Sequence, residues 1–120
     1  MDDRLTGAVI GAAIEVHTAL GPGFLESVYQ GALRLEMEAR GIPFVAQARI
    51  EVSYRGAPVG THVLDYVVDD RLVVELKAAE DLSHAHRAQL VSYLRATGAR
   101  TGLLLNFGQP KLQIRRLAHP

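Results

Sequence analysis

Charged residues interrupt the apolar run VVELKA, at residues 73–78, in a pattern that favours chemistry over packing. Glu75 and Lys77 stand two positions apart, and side chains at that spacing share one face of a strand. Burying an ion costs several kcal/mol even after relaxation, so such a pair is kept where the charges meet each other, a metal or a substrate. Asp65, on the preceding apolar run, adds a third polar group. We interpret Asp65, Glu75 and Lys77 as a candidate site.

The three side chains meet only in one register of the hairpin that joins their strands. A two-residue turn of Asp69 and Asp70 would place Asp65 opposite Val74 and turn Glu75 to the other face. A three-residue loop over 69–71, or a β-bulge, brings Asp65 and Glu75 to the same face. We therefore predict a three-residue loop or a bulge.

Hydrophobic periodicity and turn residues predict the elements that must position these side chains. Helices are predicted at about 5–20, 25–40 and 82–97, and strands at about 44–54, 59–68, 72–78, 101–107 and 112–117. The first two helices form a hairpin, and the first three strands form an antiparallel meander. The third helix is long enough to connect two parallel strands, so we predict an α/β fold with a mixed sheet flanked by helices.

The second helix has an apolar stripe that we expect to face the core. The expected inward residues are Leu25, Val28, Tyr29, Ala32, Leu33 and Met37. The glycines of Gly21-Pro22-Gly23 permit a tight turn before this helix.

Composition limits the possible functions. The 120 residues fit one domain, 1–120, and the absence of cysteine excludes disulfides, thiolate metal sites and a cysteine nucleophile. No apolar window is long enough to span a membrane, and the first residues lack the pattern of a signal peptide, so we expect a cytoplasmic protein without a membrane partner. The formal net charge of zero argues against a strong general attraction to polyanions.

The sequence resembles that of a known protein family. Asp65, followed by Glu75-Leu76-Lys77 and a polar-striped helix, resembles the PD-(D/E)XK nuclease superfamily and, within it, a small bacterial branch called GxxExxY proteins. The segments that carry the resemblance are Glu15-Val16-His17, GPGFLESVY at 21–29, Tyr54-Arg55-Gly56, VELKA at 74–78, His86 with Ala88-Gln89, Tyr93-Leu94 and GLLLNFG at 102–108. Leu64 stands where the name of the motif has proline.

The resemblance implies a restriction-endonuclease-like core and a set of roles. Asp65, Glu75 and the Leu76 carbonyl would be oxygen ligands for Mg²⁺ or Mn²⁺. Glu26, on the second helix, could complete the metal shell. Lys77 would orient or help deprotonate the attacking water.

The third helix would carry the edge of the site. Gln89, together with His86, would position water or phosphate there. His86, Gln89 and Tyr93 share one helical stripe because they are three and four residues apart.

Structural explanations stand beside these roles. Glu75 and Lys77 could form an ordinary salt bridge, and Asp65 could end a strand. Glu26 could be present because the helix dipole favours an acid in the first helical turn. His17 could cap carbonyls near a helix end, and Tyr29 fits a core position. His62, His84 and His86 do not have zinc-ligand spacing, because two of them diverge on one helix.

Two functions from different classes follow. The first is a Mg- or Mn-dependent phosphodiesterase, nuclease-like, acting on DNA or RNA with weak, salt-sensitive binding. The second is a catalytically silent module that keeps the nuclease fold to bind nucleic acid, a small ligand or a protein. Basic residues that could line a groove are Arg87, Arg95, Arg100, Lys111, Arg115 and Arg116. Asn106 and Phe107 could contact a partner, and a homodimer would widen the binding surface.

Overall fold

The computed structural model describes residues 3–118, which begin with a helical hairpin. Helix α1 spans Asp3–Leu20 and helix α2 spans Glu26–Ala39, and the two pack against each other. Between them Gly21 and Gly23 have φ of 68° and 112°, values that glycine adopts without a steric penalty. None of the helices within residues 3–118 combines the length and the hydrophobicity needed to cross a bilayer.

The buried face of α2 is narrower than the sequence predicts. Tyr29, Leu33 and Met37 are fully buried at four-residue spacing, but the expectation that Leu25 and Val28 also face inward is wrong, because they are 77% and 40% exposed. Leu25 is the extended N-cap residue, and thus precedes the helix. Val28 lies about 100° around the helix from Tyr29, which faces the core and whose hydroxyl donates a hydrogen bond to the Gly21 carbonyl at 2.5 Å.

Five strands and a third helix complete the fold. The strands are β1 (Phe44–Tyr54), β2 (Ala57–Val68), β3 (Leu72–Lys77), β4 (Thr101–Asn106) and β5 (Gln113–Ala118), and α3 (His84–Thr97) connects β3 to β4. They form one sheet in the order β1-β2-β3-β4-β5, in which only the β3–β4 pair is parallel. The predicted meander, crossover helix and mixed sheet are confirmed.

Alternation along the strands divides the core into two clusters. Leu72, Val74 and Leu76 of β3 face the cluster that includes α1 and α2, whereas Val73 faces the cluster that includes α3. Glu75 and Lys77 follow Val73 at two-residue spacing and therefore emerge on the α3 face. The sheet thus lies between two helical layers.

The β2–β3 hairpin has the loop length that the candidate site requires. Val68 pairs with Leu72, which leaves the three-residue loop 69–71 between the strands. Asp69 and Asp70 both adopt positive φ, which aspartate tolerates better than most residues. Continuing this register places Asp65 opposite Glu75, as the three-residue alternative predicts.

The β1–β2 ribbon reverses its faces beside Asp65. Ala46 and Tyr66 are paired and belong to the α1–α2 side, but the next pair, Ala48 and Leu64, belongs to the α3 side. Between them Gln47 has a φ of 53°, an uncommon value for a residue with a side chain. The reversal occurs at Asp65, so the end of the ribbon can pack over α3.

Candidate active site

Asp65 and Glu75 lie where β2 and β3 stop pairing. The last ladder pair is Tyr66 with Val74, and beyond it side chains take over the hydrogen bonding. The Asp65 N–H donates to Glu75 Oε2 at 2.6 Å, and the Leu76 N–H donates to Asp65 Oδ2 at 2.8 Å. The two carboxylates therefore bridge the separated strands, with only 9% of Asp65 and 4% of Glu75 exposed.

Helix α2 reaches the same acids from the other side. Gln30 Nε2 donates to Asp65 Oδ1 at 2.8 Å, so both oxygens of Asp65 accept a hydrogen bond. The Tyr66 hydroxyl donates to the Gln30 carbonyl, which anchors this turn of α2 to β2. The sequence analysis did not predict that Gln30 contacts the site. The one indication in the sequence is that Gln30 lies one helical turn after Glu26.

Lys77 and Gln89 are in direct contact at the opening of the site. Lys77 Nζ donates to Gln89 Oε1 at 3.1 Å, which joins the end of β3 to α3. Gln89 is exposed and Lys77 is partly buried. The structure thus brings Asp65, Glu75, Lys77 and Gln89 to one place, and their chemical roles stay predictions.

Burial dominates the electrostatics of the acids. Burial, and after it the Asp65 carboxylate, raise the pKa of Glu75 to about 8, against the lowering effects of the Asp65 N–H and of Lys77. Burial also raises the pKa of Asp65, against the Leu76 N–H and Lys77. A site without a cation therefore holds Glu75 largely protonated near neutral pH.

Glu26 lies at the margin of this cluster. Burial raises the pKa of Glu26, Lys77 lowers it and Asp65 raises it again, which places its carboxylate within the electrostatic range of both. Within residues 3–118, however, no three or more His, Cys, Asp or Glu side chains are grouped so that they could hold a metal ion. Glu26 does not complete a three-acid cage here, and its role as a ligand stays a prediction.

Two histidines have structural contacts. His86 belongs to the capping box of α3, where its Nδ1 accepts from the Ser83 N–H at 3.1 Å and its own N–H donates to Ser83 Oγ at 3.2 Å. His17 Nε2 donates to the Gln109 carbonyl at 2.8 Å, so it has a structural contact, but with the loop between β4 and β5 and not with the carbonyls that end α1.

Tyr93 links the site to the β1–β2 ribbon. Its ring meets the His62 ring edge-on, with the ring centroids 4.7 Å apart. Burial raises the pKa of Tyr93, and the Glu75 and Asp65 carboxylates raise that pKa further, so its hydroxyl lies within their electrostatic range. Tyr93 therefore lies near the two acids, and His62 packs against its ring.

The sequence suggested that Asn106 and Phe107 could contact a partner. They do not form a contact surface, because both are fully buried. The Asn106 amide bonds both the N–H and the carbonyl of Ala79, each at 2.9 Å. The Phe107 N–H donates to the Lys77 carbonyl at 2.8 Å. These residues hold the chain that leaves the site after Lys77.

The sequence model of the PD-(D/E)XK nuclease superfamily matches residues 3–117, nearly the whole chain. The chain belongs to this superfamily. No curated protein gives a significant match.

Among the solved structures that match this chain are two of low sequence identity. The protein described as SSO0001 superposes with a TM-score of 0.62 at 17% identity, covering 78% of this chain and 50% of that chain. An alkaline exonuclease from Laribacter hongkongensis, LHK-Exo, gives a TM-score of 0.46 at 12% identity, covering 72% of this chain and 52% of its own. The chain therefore aligns with about half the length of each.

Nucleases of the superfamily generally depend on divalent metal ions, and the donor types found here suit such ions. Asp65 and Glu75 offer carboxylate oxygens and Leu76 a carbonyl oxygen. Mg²⁺ is usually held by one or two carboxylates, with water and substrate completing its shell. Burial raises the pKa of both acids, and a nearby cation would favour their ionised forms. The residues fit a two-carboxylate site.

Proposed function

We propose that this protein is a divalent-metal-dependent phosphodiesterase that cleaves nucleic acid. The observation that carries the proposal is the convergence of Asp65 and Glu75 across separated strands, with Lys77 on the same face as Glu75 and bonded to Gln89. The GxxExxY motif at Gly23, Glu26 and Tyr29 further supports placement in that branch of the superfamily.

The roles of the residues follow from their positions. Asp65, Glu75 and the Leu76 carbonyl would hold Mg²⁺ or Mn²⁺, which supplies charge neutralisation at the phosphate and a lowered pKa of water. Lys77, at the opening of the site, would orient the attacking water and stabilise negative charge. Gln89 restricts the Lys77 side chain through their hydrogen bond.

The decisive experiment is a cleavage assay with single-stranded and duplex DNA and RNA in Mg²⁺ or Mn²⁺. We expect Asp65→Asn and Lys77→Met, which nearly preserve side-chain size, to lower the cleavage rate at least ~100-fold, because the first removes a metal-binding carboxylate and the second removes a group positioned on the attacking water. Lys111→Met, in the loop between β4 and β5, removes the same charge elsewhere and should retain activity. Equal rates for the wild type and the two site variants would disprove the proposal.

One observation favours a second function, a catalytically silent binding module. Glu75 Oε2 and both Asp65 oxygens already accept internal hydrogen bonds, and residues 3–118 contain no cluster of three metal-binding groups. Such a module would bind nucleic acid or another partner without turnover in any metal. Failure of Mn²⁺ to raise the melting temperature, together with retained nucleic-acid binding, would favour it.

A further inference from the structure

Gln30 contacts the candidate site although the motifs that point to the acids do not include it. Its side-chain amide donates to Asp65 Oδ1 at 2.8 Å, and its main-chain carbonyl accepts from the Tyr66 hydroxyl. The side chain is partly buried and lies one turn after Glu26 on α2. Gln30 therefore joins α2 to two consecutive residues of β2.

Asp65 needs this support because it is unpaired in both ladders. The β1–β2 ladder passes from Ala46–Tyr66 to Ala48–Leu64, and the β2–β3 ladder ends at Tyr66–Val74. Three hydrogen bonds take the place of strand pairing, namely those with Glu75 Oε2, the Leu76 N–H and Gln30 Nε2. Two of them come from β3, and the Gln30 bond alone of the three comes from a helix.

The chemistry of the donor is suited to a cation site. An amide orients a carboxylate without adding charge, whereas an ammonium or guanidinium group at the same place would repel a divalent cation. Each Asp65 oxygen has a second lone pair for a ligand after it accepts one hydrogen bond.

We propose that Gln30 is a positioning residue that fixes the Asp65 carboxylate for divalent-cation binding. The inference rests on the proposed function, in which Asp65 is a metal ligand. Partners of metal ligands typically change metal affinity 10–100-fold when they are removed. Gln30 would act through Asp65, without touching the reacting atoms.

The test compares Mn²⁺ binding by calorimetry and by the metal-induced rise in melting temperature. Gln30→Leu removes the amide at similar volume, and we expect it to weaken Mn²⁺ binding by ~10–100-fold. Gln30→His returns an N–H donor and should recover part of the affinity. Glu38→Leu, which places leucine at an exposed position of the same helix two turns after Gln30, is the control and should bind as the wild type does. Gln30→Met, which keeps the side-chain length, replaces Gln30→Leu if the latter does not fold.

The outcomes separate this inference from the proposed function. If the wild type binds Mn²⁺ and Gln30→Leu binds it equally well, the role of Gln30 is wrong and the metal site stands. If Gln30→Leu lowers the melting temperature equally with and without Mn²⁺, the positioning role of Gln30 is also rejected. A purely structural residue leaves the metal-induced rise in melting temperature unchanged. If the wild type binds no Mn²⁺, the proposed metal site and the role of Gln30 both fail.

Discussion

Glu75 is the residue whose environment is least expected for a strand. Its carboxyl is buried beside a second buried acid, and its pKa is raised to about 8. A raised pKa means that the folded protein binds a proton that the unfolded chain has already released. The ionised form of Glu75 therefore opposes folding in the absence of a cation.

This environment predicts a pH dependence of stability. Below pH 4.5 Glu75 is protonated in both the folded and the unfolded state, so the cost is absent. As the pH rises from about 4.5 to about 8, the free energy of unfolding of the metal-free protein should fall, by up to several kcal/mol from this group. Glu75→Gln keeps an acceptor for the Asp65 N–H and should flatten the fall, leaving the smaller slope due to Asp65. Urea unfolding at a series of pH values measures the free energy of unfolding of the wild type and of Glu75→Gln.

Glu51→Gln provides the matched control, because Glu51 is exposed on β1. It should reproduce the wild-type pH profile. If Glu75→Gln also runs parallel to the wild type across this range, Glu75 is not the group responsible.

Metal binding should reverse the same pH dependence. Protons and divalent cations compete for Asp65 and Glu75, so metal affinity rises as these acids ionise. We expect Mn²⁺ to raise the melting temperature more at pH 8 than at pH 5.5. In Asp65→Asn the rise caused by Mn²⁺ should be small at both pH values. Thermal shift assays at both values check this, and an Mn²⁺ effect that is larger at the lower pH would contradict it.

At the scale of elements, the end of β3 is held by a close approach of two chain segments. A Cβ atom on Gly108 would lie 2.2 Å from the Ala79 carbonyl oxygen and 2.5 Å from its nitrogen, distances that no rotamer change relieves. Gly108→Ala should lower the free energy of unfolding by ~3 kcal/mol or more. It should also weaken metal binding, because Ala79 is three residues from Leu76, whose carbonyl is a proposed metal ligand.

Gly31→Ala is the control for this substitution. Gly31 lies within α2, and a Cβ there would meet nothing within 4 Å. That change should raise the free energy of unfolding by about 0.5–1 kcal/mol, since alanine favours helix over glycine. Equal stabilities of the two variants in urea unfolding would show that the contact with Ala79 is not tight.

The sequence predicts most elements because their signals are local. The three-residue loop follows from a parity argument about Asp65 and Glu75, and the structure confirms it. The outward position of Val28 does not follow, since it depends on which face of α2 packs against the core, where Tyr29 is buried. The Gln30–Asp65 bond and the reversal at Gln47 likewise depend on packing between elements that are distant in sequence.

At the scale of the whole molecule, the basic residues Arg100 and Lys111 line two separate cavities. Arg100 lines a cavity of about 320 Å³ with Leu72, at the start of β3, whereas Lys77 is at its end, roughly 17 Å away at 3.3 Å per residue. Lys111 lines a separate cavity with His17 and Ile14. Since these two basic residues lie elsewhere and the formal net charge is zero, we expect few phosphate contacts near the site.

This distribution predicts a shallow salt dependence of nucleic-acid binding. With on the order of three phosphate contacts, the logarithm of the binding constant should fall with the logarithm of salt concentration at a slope of roughly −3, compared with about −10 for strongly basic binders. Lys77→Met should make the slope less steep by about one unit, and Lys111→Met should leave it unchanged. Fluorescence anisotropy with labelled oligonucleotides, without divalent cations so that no cleavage occurs, measures the slopes. A wild-type slope near −10, or equal slopes for the two lysine variants, would mean that the phosphates are held elsewhere on the surface than beside Lys77.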